Sequence, residues 1–98
     1  MVEWEWDPVK DRLNRLNHQG LSLAAGIPAL ADPLAASRPD PWPHEARWQT
    51  VGSAGGIVVL FVVHTEPAEQ PRGRLLGRII GVRKATAHER QAYEDGTF

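Results

Sequence analysis

The run Gly55 to Val63, GGIVVLFVV, places the first constraint on what this chain can become. It is about half the roughly 20 residues that a membrane-spanning helix needs, so it must find cover within the protein itself. Its apolar residues are continuous rather than alternating, which predicts a central strand over Ile57–His64 with both faces covered. Arg47–Val51 alternates just before it, and the glycine-containing GSAGG stretch at 52–56 joins the two as a hairpin. Glu66–Gly73 is polar with two prolines and reads as a turn, after which Arg74–Arg83 forms the next strand. Val2–Trp6 alternates apolar and acidic residues with the period of a half-buried strand.

Helix signals sit outside this block. Asp7 can cap a helix whose first position is Pro8, where the missing N–H costs nothing. Val9, Leu13 and Leu16 then fall at i, i+4 and i+7 as one apolar stripe, with Arg12, Asn14 and Arg15 off it and Gly20 as the stop. Ser22 can cap a second, short helix from Leu23 to about Leu30, kinked or ended by Pro28. Asp32–Pro43 carries four prolines and reads as a loop with at most one short edge strand. Thr86 and Glu89 form a capping box that starts a last helix, ending near Asp95 with Gly96 beyond it. The chain is therefore expected to be one α+β domain over residues 1–98. It should place two N-terminal helices and one C-terminal helix against an antiparallel sheet of about four or five strands.

Charge points to function. The net charge is −1, which argues against a general nucleic-acid coater, but residues 1–45 hold 7 acids against 4 bases and residues 46–98 hold 5 against 7. Between Arg72 and Arg90 lie six basic residues and one acid, Glu89. Guanidinium groups bind phosphate bidentately, so this segment suits a phosphate-bearing partner. Arg78 and Arg83 are five apart, however, and in a regular strand would face opposite sides. A bulge at Gly81, or Arg83 lying beyond the strand end, is needed to bring them to one face. His18, His44, His64 and His88 are scattered with no ligand spacing, so neither a metal nor another cofactor is expected. There are no cysteines, and the acidic start MVEWEWDP is unlike a secretory leader, so the expectation is a cytoplasmic protein with no membrane segment.

Several segments in order carry a family resemblance: WEWDPVK at 4–10, NRLNHQGLSL at 14–23, the DP pair at 32–33 and RWQTVG at 47–52. VVHTE at 62–66, RIIGVRKAT at 78–86 and ERQAYEDG at 89–96 complete the series. Over nearly its full length the chain resembles the BrnT toxins of bacterial type II toxin–antitoxin systems, compact relatives of the RelE-like ribonucleases. The resemblance implies a small RelE-like domain that cleaves RNA without a metal and is held inactive by a BrnA-like ribbon-helix-helix antitoxin. On that reading Arg78 and Arg83 stabilise charge at the reacting phosphate, and Arg47, Arg74 and Lys84 support RNA binding. His18 is the candidate acid or base, with Glu89 and Tyr93 as further catalytic candidates. Two departures stand out: Asn17-His18 where the family carries Lys-His, and Gly81-Val82 where it carries Ser-Ala. The first admits an alternative, a catalytically weak or inactive toxin-like module that only complexes an antitoxin.

Overall fold

The computed structural model describes residues 1–98. Strand β1 (Val2–Glu5) leads into helix α1 (Pro8–Asn17), a 3₁₀ turn (Leu23–Ala25) and helix α2 (Gly26–Leu30). Strands β2 (Ala36–Pro39), β3 (Arg47–Ala54), β4 (Val58–Thr65), β5 (Ala68–Glu69) and β6 (Leu75–Lys84) follow, and helix α3 (Ala87–Asp95) closes the chain. The local signals act as their chemistry dictates. The Asp7 carboxylate accepts from the Val9 N–H at 2.8 Å, Thr86 and Glu89 form the reciprocal capping box, and Gly96 ends α3 in the left-handed region. Pro28 falls in the first turn of α2, where its missing N–H is harmless, and the break in the second helix comes earlier, at the 3₁₀-to-α junction.

The sheet differs from the expectation in size and direction. It has six strands in the order β1-β6-β4-β3-β2, with the two-residue β5 also on β6, and β1 runs parallel to β6, Val2 opposite Leu75 and Glu5 opposite Arg78. A parallel neighbour requires a crossover, here nearly the whole chain, and alternation in a sequence reports the faces of a strand but not its partner. The hairpin turn is also narrower than GSAGG. Gly55 and Gly56 turn the chain at positive φ, whereas Gly52 lies within β3, where a Cβ would run into the backbone carbonyl of Ala29. That glycine lets α2 lie directly on the sheet.

Leu60, Phe61 and Val62 are consecutive and all buried, so β4 is covered on both faces, as its unbroken apolar run requires. On one face Leu60 and Val62 join Leu23, Ala29, Ile79 and Val82 in the core, with Trp4 and Trp6 packed beside them. On the other, Phe61 meets Phe98 edge-on and the Arg83 guanidinium at 3.9 Å. Helix α1 departs most from its sequence reading. The stripe Val9, Leu13 and Leu16 faces solvent, while Asn14 is buried and Asp11 largely so. The inward face is the polar one, because its side chains complete backbone hydrogen bonds of the sheet edge and the 3₁₀ turn: Asp11 accepts from the Leu23 N–H at 2.7 Å. No helix is long and apolar enough to cross a membrane.

Candidate functional site

Strand β6 carries the arginines. Along β4, Val63 lies opposite Gly81 but His64 lies opposite Ile79, so Ile80 is an extra residue in β6. This bulge, one position before the glycine expected to hold it, resets the alternation. Ile79 and Val82 both enter the core, and Arg78 and Arg83 both emerge on the opposite face, which α3 and Phe98 cover only in part and which is open around the arginines. Sharing a face is not sharing a point: five strand residues span roughly 16 Å. Each arginine is held at its own end.

At one end, Arg83 grips Glu89 with two hydrogen bonds, of 2.7 and 2.9 Å. Glu89 also accepts from the Thr86 N–H at 2.9 Å, and the bound Arg83 guanidinium holds its carboxyl down at about 2. At neutral pH Glu89 is therefore a carboxylate with its acceptor positions engaged, which suits it to fixing Arg83 and not to donating a proton. Arg83 and Lys84 border an open depression of about 410 Å³ with Asn17, His18, Gln19 and Thr86. His18 reaches it as the C-cap of α1, its N–H donating to the Asn14 carbonyl at 2.9 Å. Asn17 lines the same hollow.

At the other end, Glu45 gathers two cations. Arg47 donates to it at 2.9 Å and Arg78 at 2.8 and 3.0 Å, and these two guanidiniums hold its carboxyl below the usual range. Arg47 also lies 4.8 Å from the ring centre of the exposed Trp42, which meets His44 edge-on. Beside them Arg38 hydrogen-bonds Gln49 at 2.7 Å and stacks over Phe98 at 4.2 Å. Arg47 takes the place the resemblance gave it, whereas Arg38 and Glu45 join the site only in three dimensions. The sequence placed Arg38 in a Pro-rich stretch with room for one short edge strand, which is β2, but nothing there marks Arg38 or Glu45 as part of a site.

Two expected members lie elsewhere. Tyr93 donates to Asp32 at 2.6 Å in a separate hollow with Ser53, Ile57 and Arg90, where that bond keeps the phenol protonated by raising its pKa. Arg74 pairs with Glu3 just before β6 begins, roughly 30 Å along the strand from Arg83. Nor do the side chains present bring three or more His, Cys, Asp or Glu together as metal ligands.

The residue the sequence hid is Asn14. Its amide nitrogen donates to the carbonyls of Val82 and Leu21, both at 2.9 Å, and its oxygen accepts from the Val82 N–H at 3.1 Å. Beyond the end of β1 this one amide does the work of a strand partner for β6. It thereby ties the helix that carries His18 to the strand that carries Arg83.

A model of the family described as the ribonuclease toxin BrnT of type II toxin–antitoxin systems matches residues 6–89. The chain belongs to the BrnT family. No curated protein matches it by sequence. Its fold is similar to that of the Brucella abortus ribonuclease toxin BrnT, known from a 1.1 Å crystal structure. The two share a TM-score of 0.59 and 18% identity over 88% of this chain and 99% of that one. Membership makes the chain a ribonuclease toxin whose system includes an antitoxin.

Proposed function

We propose that the chain acts as a single domain which cleaves RNA by metal-independent acid–base chemistry in the hollow bordered by His18, Arg83 and Lys84. The observation that carries this reading is the fixed pair Arg83–Glu89 beside a helix-end histidine. In such a cleavage the 2′-hydroxyl attacks the neighbouring phosphorus, the bond to the 5′-oxygen breaks, and a cation stabilises the charge that gathers on the phosphoryl oxygens. Arg83 is the stabilising cation, preorganised by Glu89 and by the Phe61 ring beneath it, so little reorganisation is needed when charge develops. His18 takes the proton of the 2′-hydroxyl and returns it to the departing 5′-oxygen, leaving a 2′,3′-cyclic phosphate and a 5′-hydroxyl. Lys84 supplies a second positive charge where Asn17 brings none.

RNA extends from this hollow over the open face of the sheet toward Arg78, Arg47 and Arg38. There phosphates are gripped and a base can stack on Trp42. Glu89 on this reading is a positioning residue, and Tyr93 and Arg74 hold the fold. The antitoxin is a ribbon-helix-helix protein of the BrnA kind, and the pair resides in the cytoplasm.

Induction of the chain alone in a bacterial host, beside an Arg78→Ala/Arg83→Ala variant, tests the reading. Growth arrest with loss of RNA is expected for the parent only, and purified protein should cut RNA equally well in a chelator. A folded parent that neither arrests growth nor cleaves RNA would leave the module that only complexes an antitoxin.

A further inference from the structure

Helix α1 is amphipathic the wrong way round for a monomer. Its inward positions are Asp11, Asn14 and His18, and its outward ones are Val9, Leu13 and Leu16, which are 53%, 52% and 81% exposed. A stripe of three aliphatic side chains at i, i+4 and i+7 is the pattern by which one helix packs on another, and a soluble chain rarely leaves it open without use. Arg12 and Arg15 flank the stripe on one side and Lys10 on the other. Arg15 is paired with Asp11, while Lys10 and Arg12 have no ion-pair partner. The rim is thus cationic on both sides.

That rim decides between occupants. Two copies of this helix packed face to face would set cations against cations, which disfavours a symmetric dimer through this surface. RNA would gain nothing from the aliphatic centre. An acidic amphipathic segment satisfies both parts, its apolar side chains filling the grooves around Leu13 and Leu16 and its carboxylates meeting Lys10 and Arg12. We propose that the outer face of α1 is where the antitoxin docks, through an amphipathic segment with an apolar centre and an acidic rim. The inference rests on the toxin–antitoxin reading of the chain. It adds a consequence: α1 also carries His18 and is tied to β6 only by Asn14 and neighbouring contacts, so a partner on its outer face sits beside the catalytic hollow without needing to enter it.

The test uses the full chain co-expressed with the product of the neighbouring open reading frame, in parent and Leu13→Glu/Leu16→Glu forms. Both positions face solvent, so the variant should keep the parent's circular dichroism, melting temperature and RNA cleavage. Binding to the partner should weaken by roughly 100-fold or more, as for central apolar anchors. Arg12→Glu should cost roughly 10-fold, mostly in association rate and most visibly at low salt. A parent that binds the partner while the double variant binds it equally well overturns the docking face and leaves the toxin–antitoxin reading intact. A parent that binds no partner overturns both. A parent that sediments as a dimer and a variant that sediments as a monomer would assign the face to a second copy, against the proposal.

Discussion

The two faces of the sheet use polar side chains in opposite ways. On the helix-covered face every buried polar group is consumed internally. Asn14 closes on Val82 and Leu21, and His64 lies between Thr65 and Thr50. A carbonyl only accepts, so His64 Nδ1 carries the proton toward Thr65. Neutral Nε2 then accepts from the Thr50 hydroxyl at 2.6 Å, and Thr50 accepts in turn from Ser37. No buried side-chain polar atom is left without a partner. On the open face single carboxylates hold the arginines, Glu89 fixing Arg83 and Glu45 shared between Arg47 and Arg78, while Arg78 and Arg83 stay partly exposed. One face spends its polarity on shape, the other keeps charge available, and substitutions should divide accordingly into stability effects and activity effects.

The sharpest division is at Arg83 and Asn14, neighbours across the β6 edge. Arg83→Ala should lower RNA cleavage by about 10²–10³-fold, the scale of losing one preorganised charge-stabilising donor, with thermal unfolding shifted by only a few degrees. Cleavage and melting of the same sample check this, and a variant that melts much earlier but cleaves normally when cold would reverse the roles assigned to the two faces. Asn14→Ala should do the opposite first. It strands the N–H and carbonyl of Val82 and costs about 2–4 kcal/mol, seen as a lower denaturant midpoint. Cleavage should fall only as α1 loosens and His18 drifts from Arg83.

Asn14 also shows where legibility in the sequence ends. The caps at Asp7 and Thr86, the central strand β4 and the α+β class were readable because each depends on residues a few positions apart, or on one element's own burial. The orientation of α1 was not, because an apolar stripe reports amphipathicity but not which side meets the core, and here an asparagine 68 residues from its partner decides it. The need for a bulge between Arg78 and Arg83 followed from parity alone. Its position at Ile80 followed from the pairing of β4 with β6, which no local pattern contains. Glu45 was invisible as a clamp for the same reason: Arg47 is two residues away, but its second partner, Arg78, comes from β6.

Acid should separate the faces in two steps. Burial lowers the pKa of His64 below its ordinary 6.5, so the unfolded chain binds that proton first. The stability His64 confers is complete above about pH 6.5 and declines as pH falls through its lower folded value. Glu89, held at about 2 against an ordinary 4.5, contributes fully above about pH 4.5 and loses its contribution as pH drops toward 2. Melting temperature followed from pH 8 to pH 2 should therefore fall in both windows. His64→Gln should flatten the upper slope and Glu89→Gln the lower, and an unchanged upper slope in His64→Gln would remove the histidine from the account.

The smallest effect should come from Glu45, and it tests whether the open face is held in reserve. Glu45→Gln removes the charge that now occupies Arg47 and Arg78 without removing either cation. If these arginines grip phosphates beyond the hollow, single-stranded RNA should bind a few-fold more tightly, because the protein no longer has to give up its own ion pairs. The dependence of binding on salt should steepen, since two more cations release counterions from the RNA. The cleavage step itself should hardly change, because Arg83 keeps its own carboxylate at the other end of the strand. Weaker RNA binding by this variant would mean instead that Glu45 aims the two arginines, making it the counterpart of Glu89 and the open face as preorganised at one end as at the other.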